Sequence, residues 1–289
     1  MLSRGEGDLG LMRCDECGLV FLDGWSSAFE AELYAYYDAR VGASREERYD
    51  PLTTARQREL LAAWAPRVRG RRLLDVGCGE GQLVATALDE RWAARGIDLA
   101  TGAIQVCASF GLPCEVLDFF DASLDAERYD VITMSELLEH VPRPGRFLAR
   151  ASSLLAPGGL LYATTPNFDS LTRRLVGPRW SCIHREHIAY FTEATLSSLA
   201  AASMPGCRVR VRSKNLSLGE IAQRLRPAPA RGETCSPQEA HQVAARSRQR
   251  RLRALIAGSR GLSLAKRGAN ALVGAAGVGD TLILTAQRS

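Results

Sequence analysis

The sequence predicts a doubly wound α/β domain, and three observations carry the prediction. From Arg71 onward, strand-like runs alternate with helix-like ones; the strand runs are mostly apolar; and the first of them, "LLDVGCGEGQ" at 73–82, empties into three alternating glycines. Strands alternating with helices imply right-handed crossovers and a largely parallel sheet. Strands that are apolar along their length imply burial on both faces. A glycine-rich strand-to-helix turn lets the backbone come close to a ligand and aims the amides of the following helix at it.

The elements follow in order. Residues 72–77, 94–99, 114–118, 129–135 and 159–166 are expected strands, and 81–93, 101–110 and 144–156 are expected helices. Ahead of them, residues 1–25 are expected to be irregular or to hold short strands. A helix begins near Ser27, and another runs from Leu52 to Trp64, stopping before Pro66. Beyond Pro166, a helix over Glu193–Ser203 is opened by the capping residue Thr192, "CRVRVRS" at 207–213 alternates like a half-exposed strand, and "DTLILTAQ" at 280–287 is the last strand. Residues 214–279 are too long for an ordinary connection, so they are expected to carry structure of their own. Within them Ser236, Pro237 and Glu239 spell a helix start.

Composition bounds the function. The 289 residues are 46% hydrophobic and 24% charged, values ordinary for a globular chain that can bury a sizeable core. No apolar run approaches the roughly 20 residues that cross a bilayer. The start, "MLSRGEGDLGLMRC", has no sustained apolar stretch of the kind a secretory signal needs, so a cytoplasmic setting with its eight cysteines reduced is expected. Lys214 and Lys266 are the only lysines, and a net charge of +5 without a concentrated basic face does not indicate a nucleic-acid binder.

The glycine turn narrows the ligand. A phosphate-cradling P-loop would end in Gly-Lys-Ser/Thr, whereas Gln82 and Leu83 follow Gly81 here. A dinucleotide fingerprint places its third glycine one residue later than Gly77-x-Gly79-x-Gly81 does. Asp75 stands directly before the turn, where an acid would repel a pyrophosphate and attract a cation. S-adenosylmethionine carries a sulfonium and an ammonium and no phosphate.

Over residues 48–204 the sequence resembles the class I S-adenosylmethionine-dependent methyltransferases of the methyltransferase-23 and ubiquinone-biosynthesis-like groups. "DVGCGEG" matches their first motif, Asp98 the acid placed against the ribose, Asp118 the acid near the adenine amino group with Phe119 beside it, and "YDVITMSELLEHVPRPGRFLARASSLLAPGGLLYATTPN" the run from the fourth strand through the fifth. The resemblance implies a seven-stranded Rossmann-like sheet with N-terminal helices and a helical insertion before the last strand. It also implies S-adenosylmethionine as cofactor, S-adenosylhomocysteine as product, and cofactor contacts at Asp75, Gly77, Cys78, Gly79, Gly81, Gln82, Asp98, Leu99, Asp118, Phe119, Ser135 and His140, with Glu139 helping to shape the pocket. The chain then divides into a lead-in segment and helix at 1–47 that forms part of the acceptor cover, a core at 48–215, a helical lid at 216–270 and a closing strand at 271–289.

Acceptor chemistry centres on "PRWSCIHREHIAYFT", just beyond the fifth strand, where open α/β sheets bind ligands. His187 and His184 are the candidate bases, since imidazole titrates near neutrality. The competing role for either is to hydrogen-bond the backbone and pack. Trp180, Tyr190, Tyr34 and Tyr37 suit the walls of an acceptor pocket. Cys14-x-x-Cys17 has the shape of one zinc knuckle, but no partner pair precedes it, so no bound metal is expected. The arginine-rich stretch 246–253 is expected to be a solvated helix face. The expected protein, a monomer or homodimer, methylates a small molecule, a specialised metabolite or sugar-like compound, and binds neither nucleic acid nor membrane. Three alternatives stay open: use of the cofactor in a cyclisation or rearrangement, methylation of RNA or another nucleic acid, and a non-catalytic protein that keeps the pocket. Against the second, "SELLEH" replaces the Asn/Asp-Pro-Pro-aromatic loop of many adenine amino-methylases.

Overall fold

A computed structural model describes residues 10–24, 44–217, 220–221 and 273–289. The helix expected near Ser27, Tyr34 and Tyr37, the cap at Ser236, the arginine stretch and nearly all of the expected lid lie outside the described residues.

Two short strands, β1 (Leu11–Arg13) and β2 (Val20–Leu22), form an antiparallel hairpin. The Cys14–Gly18 turn joins them, with the Gly18 N–H donating to the Cys14 carbonyl at 2.9 Å. Helix α1 (Arg45–Arg48) is opened by a capping box: Ser44 accepts from the Glu47 N–H, and the Glu47 carboxylate accepts from the Ser44 N–H. Helix α2 (Pro51–Trp64) starts with proline in its first turn, where a missing N–H costs nothing.

The main sheet takes β3 (Arg72–Val76), β4 (Ala93–Asp98), β5 (Cys114–Val116), β6 (Tyr129–Ser135), β7 (Leu155–Pro166), β9 (Cys207–Lys214) and β10 (Thr281–Arg288). Between them run α3 (Gln82–Asp89), α4 (Thr101–Ser109), α5 (Pro144–Leu154), α6 (Leu171–Val176) and α7 (Glu193–Ser203). Strand order is β5-β4-β3-β6-β7-β10-β9, parallel through β7 and antiparallel at β10 and β9. The two-residue β8 (Ala189–Tyr190) leaves this sheet and pairs with β2, completing a small three-stranded sheet.

The period of two along each strand splits the core into two layers. On β7, Leu161 and Ala163 face a layer built with α5 and α7, while Leu160 and Tyr162 face the layer of α2 and α3. Tyr162 packs on Trp64 with ring centroids 5.0 Å apart. A third cluster, built from β1, β2, Phe168, Val176, Trp180, Ile183, Ile188 and Tyr190, lies under the small sheet. Thr192 caps α7 as expected, its hydroxyl accepting from the Thr195 N–H. Among the described residues, no helix is long and apolar enough to cross a membrane.

Candidate active site

Because β3, β4, β5 and β6 run parallel, their carboxyl ends meet at one edge, and the chain turns there carry the polar residues. The first is the glycine turn. Gly77, Gly79 and Gly81 have φ of +70°, +53° and +76°, the left-handed region that favours glycine. A Cβ on Gly77 would sit 3.1 Å from Leu137 Cδ1, whereas one on Gly79 would meet nothing within 4 Å. Gly79 thus presents bare backbone to open space. Its N–H donates to Asp98 Oδ2 at 2.8 Å, and the Ala100 N–H donates to Asp98 Oδ1 at 2.9 Å, which fixes the carboxylate at the end of β4 beside the turn.

Asp75 lies beneath the turn, 4% exposed, and accepts a 2.6 Å hydrogen bond from the Thr133 hydroxyl on β6. Burial pushes its carboxyl up to about 7 despite that bond. A cation brought alongside would favour the ionised form again. Asp118 accepts from the Phe120 N–H at 2.9 Å, a local turn that holds it at the end of β5. Leu99 is 43% exposed next to Asp98, and Ser135 is exposed at the end of β6.

Other residues of the expected cofactor set turn elsewhere. Gln82 points its amide nitrogen at the Asp50 carbonyl (2.9 Å) and Thr54 Oγ1 (3.0 Å), tying α3 to α2. The Phe119 ring is buried and stacks on Phe147 of α5 at 5.7 Å. Cys78 is buried, with its sulfur beside those of Cys107 and Cys114. Glu80 accepts from Arg48 at 2.7 Å, and its carbonyl accepts from the Tyr49 hydroxyl at 2.8 Å, so α1 braces the turn.

A second group forms where the segment before β8 docks on the loop after β6. The Ile188 and Ala189 N–H groups donate to the Glu139 carbonyl at 2.8 and 3.1 Å. This brings three imidazoles into a row, with His140 to His187 at 4.7 Å and His187 to His184 at 3.8 Å between ring centroids. His140 Nδ1 lies 2.8 Å from the Glu186 carbonyl and His187 Nδ1 2.9 Å from the Cys182 carbonyl. A carbonyl can only accept, so both rings carry their proton on Nδ1 and keep the lone pair on Nε2. Burial, with the neighbouring imidazoles adding to it, drives His187 down to about 2 and His184 down to about 4; burial also lowers His140. At neutral pH all three are therefore proton acceptors.

Glu139 completes the group. It is 1% exposed, neither carboxyl oxygen has a hydrogen-bond partner, and burial first and the charge of Glu136 second hold it well above the usual carboxylate range. Glu139, His140 and His187 each offer a ligand atom within 4.8 Å of the others, a donor set that could hold a divalent ion. Trp180 and Tyr190, expected as acceptor walls, are each 3% exposed and pack on Phe168 in the third cluster; the Tyr190 hydroxyl donates to the His184 carbonyl at 3.4 Å. Sequence reasoning missed Thr133 beneath Asp75 and the gathering of Cys107 and Cys114 around Cys78. No spacing in the chain marks any of them.

A seven-stranded sheet of this order, with a glycine turn and acids at the carboxyl edge, is the fold of class I methyltransferases. Two solved structures share it: a SAM-dependent methyltransferase from Archaeoglobus fulgidus (18% identical, covering 91% of this chain and 100% of that one, TM-score 0.51) and the plantazolicin methyltransferase BpumL in complex with SAH (17% identical, 91% of each, TM-score 0.53). A family described as "Methyltransferase domain" matches residues 45–203, more than half of the chain. The chain belongs to this methyltransferase domain family. Ubiquinone biosynthesis O-methyltransferases from Coxiella burnetii (34% identical over 122 residues, 39% of this chain and 52% of theirs) and Burkholderia lata (34% over 127 residues, 42% and 53%) are similar to it. The chain spans about half the length of these curated relatives.

Proposed function

We propose that the protein moves the methyl group of S-adenosylmethionine to a small-molecule acceptor, a specialised metabolite or sugar-like compound. The observation that carries this reading is the bare, left-handed Gly79 backbone, open on its outer side and hydrogen-bonded to the Asp98 carboxylate. A Cβ would fill the space that close approach needs, and the adjoining carboxylate suits a ribose diol. Asp98 takes the hydroxyls, Asp118 and exposed Leu99 flank the adenine, and Gly77, Gly79 and Gly81 lie along the thioether chain. Asp75 answers the ammonium from below, and Ser135 and His140 close the far side.

When bound, the cofactor supplies an electrophilic methyl on a cationic sulfur, which an acceptor attacks in line. The relatives are named O-methyltransferases, and a hydroxyl acceptor must shed a proton as its oxygen bonds to carbon. His187 or His184 receives that proton. Both imidazoles are neutral at pH 7, and the Nδ1 contact of His187 with the Cys182 carbonyl leaves its Nε2 lone pair free to take a proton. Trp180 and Tyr190 back this wall from within the third cluster.

The test is formation of S-adenosylhomocysteine from S-adenosylmethionine across a panel of hydroxylated metabolites. His187→Gln is expected to lower turnover by about 10²–10⁴-fold while S-adenosylhomocysteine affinity stays within about twofold. No product with any acceptor, together with no calorimetric uptake of the cofactor, would sink the reading. Full turnover in His187→Gln and in His184→Gln would remove the base while leaving methyl transfer intact.

A further inference from the structure

Three sulfurs meet under the glycine turn. Cys78 comes from the turn, Cys107 from α4 and Cys114 from the first residue of β5, and their Sγ atoms all lie within 4.8 Å of one another. Cys78 and Cys107 are buried and Cys114 is half-buried, and none is in a disulfide.

The backbone around them is cut back to make room. A Cβ on Gly96 would stand 2.7 Å from Cys78 Sγ and 2.9 Å from Cys114 Sγ, and one on Gly81 would stand 2.9 Å from Cys107 Sγ and 3.5 Å from Cys114 Sγ. An oxygen faces the trio as well, since the Gly79 carbonyl accepts from Cys107 Sγ at 3.4 Å and from Cys78 Sγ at 3.7 Å. Alanine or valine would fill this space without a weak S–H donor to satisfy. What three sulfurs from three separate elements add is a soft donor set.

We propose that Cys78, Cys107 and Cys114 bind one thiophilic d10 ion, Zn2+ or Cu(I), with the Gly79 carbonyl oxygen alongside. Zinc–sulfur bonds of about 2.3 Å put tetrahedral neighbours about 3.8 Å apart, so the sulfurs need to close by roughly an ångström at most. Three thiol protons leave for solvent as the metal–sulfur bonds form. The product carries one excess negative charge with Zn2+ and two with Cu(I). The smaller charge and the carbonyl as fourth ligand favour Zn2+; softness and three-coordination favour Cu(I). Either ion fastens the turn to α4 and β5. The site stands or falls independently of the acceptor.

The full chain in a Cys14→Ser/Cys17→Ser background, which silences the other Cys-x-x-Cys, is titrated with Cd2+ while thiolate-to-metal absorbance is followed. Zn2+ and Cu(I) are then titrated in competition with a chelating dye for each, and the two arms decide between the ions. One equivalent with a three-sulfur signal is expected. Cys107→Ala and Cys114→Ser are each expected to weaken binding at least tenfold and to remove about a third of the absorbance or more. Far-UV circular dichroism checks their folding. Should Cys107→Ala misfold, Zn2+ protection of Cys107 and Cys114 from alkylation, read by peptide mass spectrometry in the unmutated trio, supplies the same answer. Absence of a cadmium–thiolate signal, equal binding in Cys114→Ser, or no protection from alkylation each overturns the proposal.

Discussion

Alanine substitutions at Gly79 and Gly81 should separate cofactor binding from stability. Both residues hold positive φ, so an L side chain at either costs about 1–2 kcal/mol of backbone strain. At Gly79 the added methyl meets no protein atom within 4 Å, so strain is the whole folding cost, and the methyl occupies the space assigned to the cofactor. At Gly81 the methyl would stand 2.8 Å from Leu112 Cδ1 and 2.9 Å from Cys107 Sγ, which adds about 1–3 kcal/mol of overpacking. The expected losses are therefore about 1–2 kcal/mol for Gly79→Ala and about 2–5 kcal/mol for Gly81→Ala. Urea unfolding followed by tryptophan fluorescence reads those values, and titration calorimetry with S-adenosylhomocysteine reads affinity. Gly79→Ala should bind at least about tenfold more weakly, equivalent to 1.4 kcal/mol. Retention of affinity within threefold in Gly79→Ala would refute the placement of the cofactor. A larger stability loss at Gly79 than at Gly81 would refute the packing around the turn.

Other expectations follow from the same geometry. Asp98→Asn keeps the side chain's shape but removes a charge-assisted acceptor, so S-adenosylhomocysteine affinity should fall by about 10–100-fold in calorimetry. His184 and His187 bind protons more weakly when folded, at about 4 and about 2, than when unfolded, at about 6.5. The unfolded chain then takes up more protons below about 6.5, so stability should decline between pH 6.5 and 4, and His184→Gln/His187→Gln should flatten that decline in urea titrations. Asp75 acts in the opposite sense, because its folded value near 7 keeps a proton that the unfolded chain releases above about 4; Asp75→Asn should steepen the acid-side loss. Leu161→Ala, in a fully buried position on β7, should cost about 2–5 kcal/mol by urea unfolding. Leu99→Ala, in a position 43% exposed, should stay within about 0.5 kcal/mol of the parent chain while weakening cofactor binding.

What the residue order alone determined is whatever depends on near neighbours along the chain. Apolar residues on both faces of β3, β6 and β7 announced strands buried on two sides, and the structure packs Leu160 and Leu161 into opposite layers. Thr192 marked the start of α7 because a cap needs only the amide three residues on. The alternating glycines announced a tight turn whose backbone can approach a ligand, and in the structure all three take up left-handed φ. Tertiary structure decided which way side chains of the right type turn once distant segments meet. Gln82 binds α2, Phe119 stacks on Phe147, and Trp180 and Tyr190 fill the third cluster. None of these partners is within reach along the sequence. The imidazole row, the buried Glu139 and the three converging sulfurs arise in the same way, from parallel strands ending at one edge and loops docking on each other. Periodicity encodes burial and capping because both are local, whereas a site assembled from four strand ends depends on register and crossover packing, which no single stretch of chain contains.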